Sequence, residues 1–307
     1  MPLRIKTPLT EMFGMEYPII GAPMFLVSYE ALTIAVSEAG GLGTFPLPNF
    51  RNIEDLKNAL KTIRLATAKP IGINIHLSGR FEWRQQLALC LNAGVQFFIT
   101  SLGDPRQIIN DVHANGGRVF PDVLSLEQAL KARDGGVDGL VAVGAGAGGH
   151  GGTIPIPVLV PYLVEKVQLP VIAAGGISSG AQMAAALCLG ACGVIVGTRL
   201  IATPEARAVQ AYKDAVIASG PADIVYSNRI TGNWANWIRQ SIEGVDSTPE
   251  LGSRKWSDIW SAGQSVAQTE AIKPAGQIIR EMAESFVTVC EKMSGTILLD
   301  GQTITPN

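Results

Sequence analysis

Residues 139–198 contain three stretches, GLVAVGAGAGGHGGTIPIP (139–157), PVIAAGGISSG (170–180) and GVIVGT (193–198), separated by two runs of helical composition. Each stretch is a short apolar strand that ends in a glycine-rich turn. Strand, glycine turn and helix repeating at short intervals is the pattern of a parallel α/β sheet, which holds ligands at the C-terminal ends of its strands. The first turn carries His150 among six glycines. Glycines let a backbone approach a ligand closely, and imidazole titrates near neutrality. The later turns, at Gly175-Gly176 and Gly197-Thr198, are of the kind that cradles a phosphate with backbone N–H groups and a helix N-terminus.

The same grammar extends back to the N-terminus. PIIGAPM (18–24) is a first strand, followed by a helix from Tyr29 to Ala39. Gly41–Phe45 is a second strand, with a helix from Asn52 to Ala66 that Asn52 can cap. PIGINI (70–75), Val95–Ser101 and Arg118–Val123 are strands three to five. Helices follow at Phe81–Asn92, from Asp104-Pro105, and from a Ser125 cap to about Asp134. With the opening three this makes eight strand–helix units of about 20 to 28 residues each. The expected fold is a (β/α)8 TIM barrel, preferred to an open doubly wound sheet, which uses fewer strands. Residues 1–220 are assigned to the barrel, with Pro204–Ala218 as its last helix. Residues 221–307 are expected to be a helical and loop extension that caps the mouth and is not an independent domain, since no linker-like composition precedes them. Within it, Asp223–Ile242 reads as irregular, Glu250–Trp260 as a lid or loop rich in Trp and charge, and Pro274–Met293 as a long helix.

Composition agrees. Of 307 residues, 47% are hydrophobic and 16% charged, which suits strands buried on both faces. A net charge of −2 gives no basic field for nucleic acid or an anionic membrane surface. The apolar run from Val167 to Thr198 is interrupted by Gly175-Gly176 and Ser178-Ser179-Gly180, so it does not read as a membrane span. The N-terminus lacks the apolar core of a signal peptide, and a cytoplasmic protein is expected. Cys90, Cys188, Cys192 and Cys290 have no metal-binding spacing and read as inert core thiols, and no metal site is expected.

GAGAGG (144–149) matches the dinucleotide fingerprint in letters only. His150, the glycines after it, and Pro155 and Pro157 postpone the helix whose N-terminus should face a pyrophosphate. Of the three histidines, His113 falls at a helix end and reads as solvated, and His76 as structural. His150 is the candidate general base or hydrogen-bonding acid.

GAPM (21–24), INIH (73–76), AGGHGG (147–152), AAGGI (173–177), VGTR (196–199) and WSAGQSV (260–266) together resemble the nitronate monooxygenases, FMN-dependent TIM-barrel enzymes, over about Pro18 to Met293. The resemblance implies that Gly175, Gly176, Gly197 and Thr198 hold the FMN phosphate. It places Ala22, Pro23 and Met24 along the isoalloxazine, with Asn74 hydrogen-bonded to the ring. Gly148 and Gly149 would line the pocket, with Gln264 and Ser265 approaching from the C-terminal segment, and His150 as the catalytic residue. The implied reaction is oxidation of an alkyl nitronate or nitroalkane by O2 to a carbonyl compound and nitrite. A homodimer is among the assemblies open to it.

Two departures keep alternatives open. TIPIP (153–157) points as much to the NAD(P)H:quinone reductase branch of the superfamily, which also includes FMN-dependent enoyl-ACP reductases. Asp122, at the end of the fifth strand, would repel an anionic substrate unless it turns away or pairs with Arg199. The mouth loops have no basic cluster to suit an acyl carrier protein, which ranks the enoyl-ACP reductase lower. A flavin-storage protein is the third class, disfavoured because it has no need of His150.

Overall fold

The computed structural model describes residues 3–78, 83–244 and 258–294, with the backbone of 298–299 and 302–303. The parallel barrel strands are β1 (Ile19–Gly21), β2 (Gly43–Pro46), β3 (Ile71–His76), β4 (Phe97–Ser101), β5 (Arg118–Val123), β6 (Leu140–Val143), β8 (Val171–Ala174) and β9 (Gly193–Val196). Their order is β1-β9-β8-β6-β5-β4-β3-β2, and a parallel bridge between Ile20 and Leu42 joins the two ends. The eight-stranded TIM barrel is thereby confirmed. Closure removes both sheet edges, and with every strand covered on two faces the apolar composition follows.

Helices alternate with the strands: α2 (Glu30–Glu38), α3 (Ile53–Ala66), α4 (Arg84–Asn92), α5 (Arg106–Ala114), α6 (Leu126–Asp134), α7 (Ile156–Val167) and α8 (Gly180–Cys188). Asn52 caps α3 by accepting the Asp55 N–H at 2.8 Å, and Ser125 caps α6 through Gln128 N–H at 3.3 Å. No helix starts in the glycine loop; α7 begins only at Ile156, with proline in its first turn. This disposes of the dinucleotide fingerprint. The predicted start of α4 at Phe81 lies outside the described residues.

The segment before β1 is structured. It forms α1 (Pro8–Phe13), capped by Thr7, whose Leu9 and Phe13 enter the barrel floor with Met15. There Phe13 meets Phe97 edge-on at 5.2 Å, and Phe97 meets Phe120 at 5.2 Å. The interior above is filled by Ile20, Leu42, Ile99, Val141, Ile172 and Ile195. Closed with side chains from below, the barrel opens only at the C-terminal ends of its strands.

Beyond β9 come α9 (Thr198–Ile201), α10 (Gln210–Ala218), α11 (Arg239–Ile242) and α12 (Ala275–Ser294). The alternation predicts Pro204–Ala218 as the last barrel helix. Instead α12 packs between α8 and α2, the place the pattern leaves for an eighth helix, and Gly180 N–H donates to Ser285 Oγ at 3.0 Å. What reaches the mouth is an antiparallel ribbon, β10 (Ile224–Ser227) and β11 (Ala235–Ile238), within the stretch expected to be irregular, together with residues 260–268. The ribbon accepts a third, two-residue strand, β7 (Gly149–His150). A terminal pair, β12 (Leu298–Leu299) and β13 (Gln302–Thr303), completes the elements.

His113 is exposed, as expected, and its Nε2 lies 2.8 Å from Asp138. The cysteines depart from expectation. Cys90 and Cys192 are buried, but Cys188 and Cys290 are exposed, since α8 and α12 turn those positions outward. No helix among the described residues is long and apolar enough to cross a membrane.

Candidate active site

The loop after β6 is fastened from three directions. Within itself, Ala145 N–H bonds Ile154 O at 3.0 Å and Ala147 N–H bonds Gly144 O at 3.1 Å. From the ribbon, buried Asn236 donates its amide to Ala145 O at 3.0 Å and Ala147 O at 2.7 Å. Tyr226 Oη donates to Gly151 O at 3.0 Å. From the C-terminal segment, Gln264 N–H donates to Gly146 O at 3.1 Å. Gly148 permits that approach, because a Cβ there would lie 2.8 Å from Gly263 N. The loop's many glycines therefore serve close backbone packing, and the loop is held rather than free.

His150 is displayed on this fastened loop. It pairs in register with Ala235, and its Nε2 lies 3.3 Å from Thr231 Oγ1. The Thr231 hydroxyl donates to Asn233 O at 3.0 Å, so toward His150 it acts as acceptor. With the hydroxyl donating to Asn233 O, Nε2 would carry the proton and Nδ1 would be the basic nitrogen. The residue keeps an exposed surface, yet desolvation by the surrounding protein holds its imidazole below the usual histidine range. A neutral, oriented imidazole at pH 7 is equipped to accept a proton.

The turns after β8 and β9 lie on the other side of the loop, where a Cβ on Gly146 would lie 3.2 Å from Gly176 N. Gly175 and Gly176 have φ of +116° and +71°, and a Cβ at Gly176 would enter open space. Among the described residues, the N–H groups of Gly175, Gly176 and Gly197 donate to no protein acceptor. Thr198 Oγ1 does have a partner, accepting Gly263 N–H at 2.8 Å, and Ser265 is buried beneath while Gln264 is exposed.

Across the mouth, Ala22, Pro23 and Met24 are half-buried on a turn held from behind by a residue the sequence reading did not select. Ser28 Oγ donates to Ala22 O at 2.8 Å and accepts Met24 N–H at 3.1 Å. Asn74 donates to Ser101 Oγ at 2.7 Å, and Ser101 donates to Asp122 Oδ2. Asp122 does not pair with Arg199, which is taken by Gln268 O and by Glu281 at 3.6 Å. Burial raises the Asp122 carboxyl to about 6, and the Ser101 bond opposes the rise.

Trp237 is buried and donates to Ser227 O at 3.2 Å, whereas exposed Trp234 stacks on Tyr226 at 4.9 Å. Trp256 and residues 250–257 of the expected lid lie outside the described residues. Among the described residues no group of three His, Cys, Asp or Glu could hold a metal ion. Asn236, Thr231, Ser28 and Ser101 carry no motif; only the hydrogen bonds they make after folding mark them.

The model of the nitronate monooxygenase family matches residues 6–82 and 78–304. Over 233 residues the chain is 32% identical to (3aS,4S,5R,7aS)-5-hydroxy-7a-methyl-1-oxo-octahydro-1H-indene-4-carboxyl-CoA dehydrogenase of Mycobacterium tuberculosis, covering 75% of this chain and 65% of that one. The match thus spans slightly less than two thirds of that relative. A protein of Staphylococcus saprophyticus named as a probable nitronate monooxygenase is 27% identical, covering 86% of this chain and 93% of its own. The structure of FabK from Thermotoga maritima superposes with a TM-score of 0.84 at 31% identity, over 95% of this chain and all of that one.

Proposed function

The chain belongs to the nitronate monooxygenase family, and on that premise we propose that it is an FMN-dependent monooxygenase that oxidises alkyl nitronates and nitroalkanes with O2, giving a carbonyl compound and nitrite. The observation that carries the reading is the clamped His150, a neutral imidazole fixed by Thr231 and the ribbon beside two glycine turns with unpartnered N–H groups. Those N–H groups suit a phosphate: they are backbone donors in a cradle with no side chain to exclude it. Gly175, Gly176 and Gly197 would hold the FMN phosphate, with Thr198, whose Oγ1 accepts the Gly263 N–H and keeps its own O–H to donate, beside them.

Ala22, Pro23 and Met24 would line the isoalloxazine, which Ser28 keeps in place by pinning both ends of their turn. Asn74 would reach the ring's edge, Gly148 and Gly149 would bound the pocket, and Gln264 and Ser265 would close it from the C-terminal side. Bound there, FMN supplies one-electron exchange with substrate and O2. The protein supplies proton handling: Nδ1 of His150 accepts the α-proton of a neutral nitroalkane, and the imidazolium then holds the anionic nitro group. We also propose that the extension, 221–307, is no independent domain, a reading supported by its ribbon, which pairs with the catalytic loop.

Likeness to FabK, and the TIPIP segment, favour a second reading: NAD(P)H:quinone or enoyl reductase chemistry on this scaffold. Anaerobic stopped-flow mixing separates the two. Nitronate-dependent oxygen uptake without NADH oxidation is expected; rapid bleaching of the flavin by NADH would assign the reductase instead.

A further inference from the structure

The proposed site leaves one half-buried acid unused. Asp122 shares the inward face of β5 with Phe120, so it stands where the barrel interior opens into the mouth. Its Oδ2 is pinned by Ser101, which Asn74 holds in turn. Its Oδ1 takes no hydrogen bond from the described residues, and it is not among the sealed, unpartnered polar atoms. One oxygen is fixed, and the other keeps contact with solvent at this end of the barrel.

Among the described residues, its surroundings bring no compensating cation. Inward positions on β4 are Phe97, Ile99 and Ser101, and on β6 Val141 and Val143. On β3 the titratable side chain is His76, 2.9 Å from Ser78, and His150 stands on the loop after β6. Arg118 shares the strand face of Asp122 but sits at its other end, paired with Asp138 at 3.0 Å. A carboxylate here has lost much of its hydration, and an electron-rich ring laid against it would remove the rest.

We propose that Asp122 is a proton-accepting contact of the bound flavin: ionised in the empty mouth, it takes one proton from solvent as the ring arrives and then donates Oδ1–H to the ring's carbonyl edge. The inference rests on the flavin reading above. The step balances as carboxylate plus solvent proton to neutral acid, with no electron moved. A carboxyl kept protonated by a dry site is a known kind of hydrogen-bond donor in enzymes.

The test is FMN affinity, read by fluorescence quenching from pH 5.5 to 8.5, for the wild type, Asp122→Asn and Ser101→Ala, with folding checked by circular dichroism. The phosphate's own titration is common to all three proteins. The wild type should bind roughly tenfold more weakly per pH unit above the free carboxyl's pKa, relative to Asp122→Asn. Ser101→Ala removes a bond that favours the ionised form, so its loss of affinity should begin at higher pH. Parallel profiles for the wild type and Asp122→Asn would overturn this proposal alone. Failure of both folded proteins to bind FMN at any pH would overturn the flavin reading, and this inference with it.

Discussion

His150 and Ala235 face each other across an antiparallel pairing that ties the loop after β6 to the ribbon beyond the barrel. The residue proposed for proton transfer is thus positioned by a segment outside the eight strand–helix units. The ribbon's strongest hold is Asn236, whose one amide group serves both Ala145 O and Ala147 O. Asn236→Ala should lose both bonds and leave two carbonyls without their donor, costing about 1–3 kcal/mol. Turnover should fall more than FMN affinity, because the phosphate turns are not touched. Parallel measurement of kcat and of flavin content checks this; equal losses would mean that the ribbon supports the whole mouth and not the His150 loop in particular.

Substrates that differ only by a proton test His150 itself. A neutral nitroalkane needs its α-proton removed, whereas a pre-formed nitronate does not. His150→Asn should retain FMN and lose about 10²–10⁴-fold with nitroalkanes, the span of general-base catalysis, with a much smaller loss on nitronates. Equal losses on both would remove the base role. The pH dependence has a definite sign. Desolvation lowers the imidazole's pKa, so the neutral base persists to lower pH than an exposed histidine would allow. Activity on nitroalkanes should therefore decline only below about 6.5, the ordinary histidine value, as the imidazole protonates.

Thr231 makes a narrower prediction. Its hydroxyl directs the Nε2 proton and so leaves Nδ1 free. Thr231→Val keeps the shape and deletes the acceptor, which should reduce nitroalkane turnover several-fold and leave nitronate turnover nearly unchanged. Steady-state rates on the two substrates decide it, and a similar reduction with both would show that the threonine acts on packing.

What could be read before folding was what is local. Strand, turn and helix each declare themselves within a few residues, so the barrel, His150 and the glycine turns were legible. Asn52 and Ser125 as caps were legible for the same reason. The rest depends on partners far away in the chain. Leu9 and Phe13 read as an unremarkable lead until Phe97 and Phe120 stand above them. Gln210–Ala218 and Ala275–Ser294 are both good helices, and only packing against α8 and α2 decides which completes the ring. Asp122 and Arg199 have opposite charges, which suggested a pair; Glu281 and Gln268 take the arginine first.

At Gly176 the backbone is left-handed and the space beside it is empty. A non-glycine residue there carries about 1–2 kcal/mol of strain, which a domain of ordinary stability survives. Gly176→Asp would in addition put a carboxylate into the space assigned to the phosphate. The variant should fold, by circular dichroism, and purify without yellow colour. A fully flavin-loaded Gly176→Asp protein would refute the phosphate assignment.

Asp122 also predicts how stability varies with pH. Its folded pKa, about 6, lies above that of an unfolded aspartate, about 3.9. Between those values the folded state binds the extra proton, so raising pH through this window withdraws stability, and above it the full penalty of the buried charge remains. A shift of this size corresponds to an upper bound on the order of 3 kcal/mol, to be reduced because the side chain keeps some contact with solvent. Asp122→Asn removes the ionisation while keeping shape and one acceptor for Ser101. Thermal melts of the flavin-free proteins should then give a higher Tm for the variant at pH 7.5 and little difference at pH 4, with the gap opening between about pH 4 and 6. A gap constant across that range would mean that Asp122 is neutral or equally solvated in both states, and that its carboxyl has no proton to exchange with the mouth.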